Sequence, residues 1–475
     1  MPESLATHQI DTRLSHWSQK LRRFAVGLTV LLATALFAHP LFGLNVDEAR
    51  AAALLVLTIG FWATGILPEH LTSLWFMLLA MLLAVAPAPE VFSGFSSPAL
   101  WLVFSGLILG LAIDRTGLGA RIARQMAKRI THHYFALLGG LVGVGIVLSF
   151  LMPSSLGRVA LLIPIALSVA GHAGFEPGSR GRTGVVLAAA FGCQIPAFAI
   201  LTANVPNMVL VGSAETLLHV SPSYGEYLLL HFPVLGALKA VALVLLIAWL
   251  YPDRTRPTAT RPPVARQVLS RDERLLAVVL AVALTLWMTD SMNHLSPAWV
   301  ALAAALILML PRFGIISPQQ FRQGINFNSL FFVAGVIGFG AVVSYTGLGA
   351  RFAHLLAQIL PLAPGHPLRD FASLTLVSLV TGIFTTLPGV PAVLTPLAGK
   401  MAAASGLSVK TVLMTQVLGF STALFPYQSA PLVVAMQLAG ESLLPALRLL
   451  LALAVLSAVL LLPLDYLWWR ALGWL

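Results

Sequence analysis

Residues 150–166 read FLMPSSLGRVALLIPIA, and residues 384–398 read FTTLPGVPAVLTPLA. Both lie inside long apolar stretches, 136–170 and 371–402, and both are interrupted near the centre. Proline removes a backbone donor and clashes with the preceding turn, and glycine loosens what remains. An apolar helix is therefore predicted to stop at MPSSLG and at TTLPGVP. Two half-length helices joined by such a tip make a hairpin that enters and leaves on one side. Arg158, a full charge in the middle of the first stretch, marks the tip as polar.

The whole chain sets the environment of these tips. Its 475 residues are 58% hydrophobic and 9% charged, with a mean hydropathy of +0.90. A soluble domain carries about 25% charged residues. The composition is that of an all-α polytopic membrane protein. Its +11 net charge collects in short segments between apolar runs, which is the sign of cytoplasmic loops and not of a nucleic-acid partner. One cysteine, Cys193, excludes an internal disulfide and a multi-cysteine metal site. There is no H-E-x-x-H or P-loop pattern and no catalytic cluster, so the chain does not read as an enzyme.

A spanning helix needs about 20 apolar residues. Counting the two interrupted stretches as hairpins leaves about eleven spans. With the N-terminus in the cytoplasm, the basic segments 115–132, 172–184 and 251–274 then fall inside, while 213–225 falls outside without Lys or Arg. The compact loops and basic N-terminus suggest a bacterial inner membrane. Lys239 and Lys400 are able to snorkel and carry no assigned role.

An internal repeat organises the chain. TGLGAR occurs at 116–121 and at 346–351. VFSGFSSPALWLVFSGLILG (91–110) pairs with FRQGINFNSLFFVAGVIGFG (321–340), the two tips pair with each other, and ILTANVPNMVLVG (200–212) pairs with FPYQSAPLVVAMQ (425–437). The expected organisation is an N-terminal segment and first helix (1–45), a first repeat (46–250) with hairpin 136–170 and broken helix 185–212, and a cytoplasmic linker (251–272). A second repeat (273–445) with hairpin 371–402 and broken helix 412–435 follows, then a C-terminal helix (446–475). The topology places one TGLGAR inside and the other outside, so the repeat is inverted. Inverted repeats with discontinuous helices are the pattern of secondary transporters, which bind substrate at the breaks.

Each half supplies two breaks, all bearing small hydroxyl or amide side chains: Ser154-Ser155-Leu156-Gly157-Arg158, Thr202-Ala203-Asn204-Val205-Pro206-Asn207, Thr385-Thr386-Leu387-Pro388-Gly389 and Tyr427-Gln428-Ser429-Ala430-Pro431. Half-helix N-termini suit an anion, and unwound carbonyls and hydroxyls suit a cation. Guanidinium binds carboxylate or sulfate oxygens as a fork. The substrate candidates are Ser154, Ser155, Arg158, Asn207, Thr385, Thr386, Gln428 and Ser429. The ion candidates are Ser154, Gly157, Thr202, Asn204 and Gly389. If Arg158 lines the cavity, Arg158→Ala keeps the fold and abolishes anion binding. A structural ion pair with Asp114 or Glu69 is the other use for it. Gln194 and Gln416 read as inter-helix glue, and Asp114 as a helix-end residue.

These motifs resemble the divalent anion:sodium symporter family, in the wider ion-transporter superfamily. Its tips carry Ser-Asn-Thr ten residues before a proline; here Ser154 precedes Pro164 and Thr386 precedes Pro396 by ten. ANVPN at 203–207 stands where that family has Gly-Thr-x-Pro-Asn. The tips depart from the pattern: Ser155-Leu156 replaces the amide and the threonine, Leu387-Pro388 follows Thr386, and Leu432 stands opposite Asn207. The resemblance implies a small anionic substrate, a dicarboxylate or inorganic oxyanion such as sulfate. It also implies an elevator movement, a homodimer in the lipid bilayer, sodium as a coupling ion and no tightly bound cofactor. A cation/proton antiporter or arsenite-type extruder of the same superfamily is the competing function; such a protein favours an acid at a tip, and the absence of one, with Arg158 present, favours the anion. A non-transporting scaffold is the remaining one.

Overall fold

The computed structural model describes residues 23–39, 43–127, 133–255, 268–349, 351 and 359–475. The polar leader before Arg23, most of the Arg/Pro-rich linker and part of the basic segment 115–132 lie outside the described residues. Every regular element among the described residues is helical, and none is a strand.

The first group of helices is α1 (Arg23–Ala38), α2 (Val46–Thr64), α3 (Glu69–Leu82), α4 (Pro98–Thr116) and α5 (Leu118–Ala127). Next come α6 (Tyr134–Leu151), α7 (Ser155–His172), α8 (Arg180–Gly192) and α9 (Val205–Leu218), then α10 (Tyr224–Leu250). The second half holds α11 (Arg271–Met288), α12 (Pro297–Met309), α13 (Phe327–Tyr345) and α14 (Pro367–Phe384). It ends with α15 (Gly389–Ser405), α16 (Val409–Phe420), α17 (Ala430–Ala439) and α18 (Leu443–Ala471).

Seven of the described helices are long and apolar enough to cross a membrane, or eight if α15 and α16, bent by 119°, form one span. The looser hydropathy reading of eleven also counts runs such as α3 and α12. These are helices of 14 and 13 residues, about 20 Å long against a hydrocarbon core of about 30 Å. The hairpin arms differ from the expected half-length. α6 and α7 have 18 residues each, about 27 Å. Only Met152, Pro153 and Ser154 separate them, because the Ser154 hydroxyl accepts the Gly157 N–H at 3.1 Å and restarts the helix at once.

The described residues of the two TGLGAR segments turn in the same way. Thr116 and Thr346 each donate a hydroxyl back to the carbonyls three and four residues earlier. Gly117 and Gly347 then turn the chain at φ +73° and +74°, a region that favours glycine. Each repeat arginine pairs with the third-position glutamate of a capping box in the other half. Arg121 bridges both oxygens of Glu273, at 2.6 and 2.8 Å. Arg351 meets Glu48 at 3.1 Å.

The helices pack in two sets. In one, α3 lies on α2 and α13, and α12 lies on α4 and α11. In the other, α8 and α10 lie on α6, α7 on α17, and α14 on α16. Small residues let the second set close up. A Cβ on Gly145 of α6 would stand 2.3 Å from the Gly192 carbonyl carbon of α8, and one on Gly419 of α16 would stand 2.2 Å from Ser378 Oγ of α14. Such contacts replace the hydrophobic drive that lipid does not supply between helices.

Candidate functional site

A cavity of about 560 Å³ lies between the two sets. The first set contributes Glu69 and His70 at the start of α3, the Val103–Asp114 face of α4, and Asn326, Asn328 and Ser329 where α13 begins. The second set contributes all four breaks, through Pro153–Gly157, Asn204–Pro206, Thr386–Pro388 and Tyr427–Pro431.

Three breaks start a side-chain-capped helix at the cavity wall. Ser154 caps α7, Asn204 caps α9 by accepting the Asn207 N–H at 3.0 Å, and Ser429 caps α17 by accepting the Leu432 N–H at 3.4 Å. Each N-terminus carries roughly half a positive charge. Among the described residues no lysine or arginine lines the cavity, while Glu69 and Asp114 do. The positive potential facing a ligand therefore comes from backbone, and the carboxylates stand on the opposite set. The Glu69 carboxyl has the Thr386 hydroxyl of the second tip as its hydrogen-bonding neighbour.

Of the predicted residues, Ser154, Ser155, Gly157, Asn204, Thr386, Gln428 and Ser429 line the cavity. Gln428 also holds its own loop: Oε1 accepts the Leu424 and Phe425 N–H groups at 2.7 and 2.8 Å, and Nε2 donates to Gly382 O. Ser429 accepts from Gln194 Nε2, so Gln194 is glue, as its sequence position suggested, and also part of the wall.

The other predicted residues stand behind the wall. Arg158 is fully buried and absent from the lining. Nε donates to Cys193 O at 3.0 Å, one Nη to Ala203 O at 2.9 Å and to Met152 O, and the other to Ser155 Oγ at 2.9 Å. Neither Asp114 nor Glu69 is a partner. The unsatisfied carbonyls at two breaks attract the guanidinium more strongly than open water in the cavity does, because an unpaired buried carbonyl is costly. The expectation of a guanidinium fork on the cavity wall is thereby corrected. Asn207 is likewise buried: its amide nitrogen donates to Ala197, Phe198 and Ile200 carbonyls at 3.2, 3.1 and 2.9 Å. Thr385 turns its hydroxyl back to Thr381 O at 3.0 Å. Thr202 is buried in a short 3-10 turn. Gly389 lets the second tip fold tightly, since a Cβ there would lie 2.9 Å from Thr385 Cβ.

Sequence reading missed the contribution of the first set. Asp114 reads as a helix end, and FRQGINFNSL reads as a repeat block without polar significance. The usable signal was the pair Asn326 and Asn328 in an otherwise apolar run.

Comparison with known proteins agrees with this architecture. The model of the sodium:sulfate symporter transmembrane region matches residues 18–475. The chain belongs to that family. This carrier is accordingly a multi-pass membrane transporter of small anions and not an enzyme. It is 25% identical over 458 residues to a membrane protein of Cupriavidus necator, covering 91% of this chain and 89% of that one. It is 28% identical over 307 residues to the L-tartrate/succinate antiporter of Escherichia coli K12. That match spans 61% of the carrier and 60% of the antiporter's length. Among solved structures, the carrier shares its fold with the Alcanivorax borkumensis YdaH transporter, with a TM-score of 0.52, 17% identity, and coverage of 96% and 99% of the two chains. It also shares it with Neisseria gonorrhoeae MtrF, with a TM-score of 0.54, 13% identity, and coverage of 90% and 96%.

Proposed function

We propose that the carrier exchanges small dicarboxylates across the bacterial inner membrane and draws on no sodium gradient. The observation that carries this reading is the Arg158 guanidinium. The Met152, Cys193 and Ala203 carbonyls and the Ser155 hydroxyl form the kind of oxygen cluster that coordinates a cation at broken helices. Arg158 donates to all four. A resident charge there leaves those oxygens unfit for sodium, so Ser154, Gly157 and Asn204 serve the anion and the caps. A permanently charged translocating unit then needs an anion on the return stroke as well, which is exchange. The cavity volume falls in the range of small-ligand sites, and three helix N-termini suit carboxylate oxygens. The named activity of the E. coli relative is of the same kind.

The movement in this reading is an elevator. The second set carries the four breaks past the first, and the cavity between the two sets supports it. Two inverted repeats (46–250 and 273–445), a homodimer and a cytoplasmic N-terminus complete the proposal, on the strength of the repeat blocks, the family resemblance and the basic segments. Sulfate is the alternative substrate within it. A cation/proton antiporter is favoured by one observation, the Glu69 and Asp114 carboxylates on the wall.

The test is uptake of labelled succinate, and separately sulfate, into proteoliposomes. Uptake should need unlabelled succinate inside and be equal in sodium and choline buffers. Sodium-driven uptake into empty vesicles would overturn the reading. Proton efflux on addition of monovalent cation, with no anion uptake, would select the antiporter.

A further inference from the structure

The carbonyl end of α16 has its own cation. The helix ends at Phe420 with Ser421 as C-cap, and the chain reaches the cap of α17 through a 3-10 turn at Pro426–Gln428. The last carbonyls of a helix lack internal partners and carry its negative end. At the end of α8, the C-cap Cys193 carbonyl takes Arg158. At the end of α16, Lys239 Nζ donates to Ser421 O at 3.1 Å and to Thr422 Oγ1 at 3.4 Å.

Lys239 reaches this point from α10. It directly follows the seven-residue π turn Phe232–Leu238, which contains Pro233. A π turn shifts the register of the residues after it. Here it accompanies a lysine that faces the bundle and not the lipid. The side chain is 1% exposed, so it does not snorkel to a membrane surface. The recess formed by Lys239, Ser421, Thr422 and Ser457 leaves no room for a water molecule. Asp465 of α18 is equally buried. An apolar residue would fill the recess at less cost in a bilayer, and ionisable residues at such depth mark functional positions.

We propose that the Lys239 ammonium is the resident cation of the second half. It occupies the place where a transported monovalent cation would meet the open end of α16, as Arg158 does at α8. The inference rests on the sodium-independent reading above and extends it to the second half. Both broken helices then carry a fixed charge, and neither offers an exchangeable site.

The experiment is thermal unfolding of the purified carrier in sodium chloride and in choline chloride at equal ionic strength. The wild type should unfold at the same temperature in both salts. Lys239→Ala should unfold earlier, and sodium but not choline should raise its midpoint by roughly 2 °C or more, because a ligand that binds only the folded state stabilises it. Lys239→Arg, which keeps the charge, should unfold at the same temperature in both salts. Sodium-specific stabilisation of the wild type would overturn the proposal. So would a Lys239→Ala protein that is as stable as wild type or indifferent to sodium. If Lys239→Ala does not accumulate, Lys239→Gln is read in the same way. No dicarboxylate or sulfate enters this assay, so failure of succinate exchange would strike the transport reading and leave this result standing.

Discussion

Asn207 holds the first broken helix open with one side chain. Its amide nitrogen ties three carbonyls of the preceding turns, and its own N–H caps onto Asn204. Asn207→Ala leaves those buried carbonyls short of a partner, at a cost of about 1–3 kcal/mol. The expected result is a lower unfolding midpoint with the substrate KM of the surviving protein near wild type, checked by melting curves and exchange kinetics. Glu69 acts in the opposite sense. It lines the cavity as a carboxyl group beside Thr386. Glu69→Gln keeps the shape and removes about 1 kcal/mol of like-charge repulsion, so the apparent affinity for succinate should rise about three- to tenfold near neutral pH. An unchanged KM would mean that the anion binds away from α3. A reader of the sequence sees Ser154, Asn204 and Ser429 as polar residues at breaks, but not that each is already engaged as a helix cap.

At the scale of the element, the two TGLGAR turns act as corners. Each ends a long helix with an αL glycine and sends an arginine to the capping box of a helix in the other half. The Arg121–Glu273 contact is bidentate, with the glutamate nearly buried. A double-mutant cycle with Arg121→Ala and Glu273→Ala should give a coupling energy of about 1 kcal/mol or more, read by chemical or thermal unfolding. The coupling at Arg351 and Glu48 should be weaker, because that arginine is half exposed and solvent screens the pair. The basic residues that signal topology in the sequence thus include at least one that also locks two halves together.

At the scale of the molecule, the cavity separates two sets of helices, with Glu69 on one and Thr386 on the other. The elevator stroke proposed above would part them. With Glu69→Cys and Thr386→Cys in one chain, oxidation should stop exchange and reduction should restore it. Cys193 is fully buried and does not compete for the oxidant. Unimpaired exchange by the cross-linked protein would mean that the two sets do not slide at this point.

The sequence by itself determined the class, the helical composition and the four breaks. Charge density, apolar run length and proline position act locally, and no tertiary contact reverses them. It also determined the resemblance to the symporter family, through motifs whose spacing survives even where their side chains have changed. What the tertiary structure decided is which polar groups meet a ligand. Arg158 and Lys239 look alike in sequence, as single charges in apolar runs, and any reading of their partners needs the third dimension. Their partners are carbonyls at helix ends 35 and 182 residues away. No periodicity encodes such contacts, because every residue has a carbonyl and only folding leaves a few of them unpaired. The cavity's acidic wall is hidden for the same reason. Glu69 and Asp114 end up facing the breaks through the packing of α3 and α4, and that packing is set by apolar surfaces that say nothing about charge.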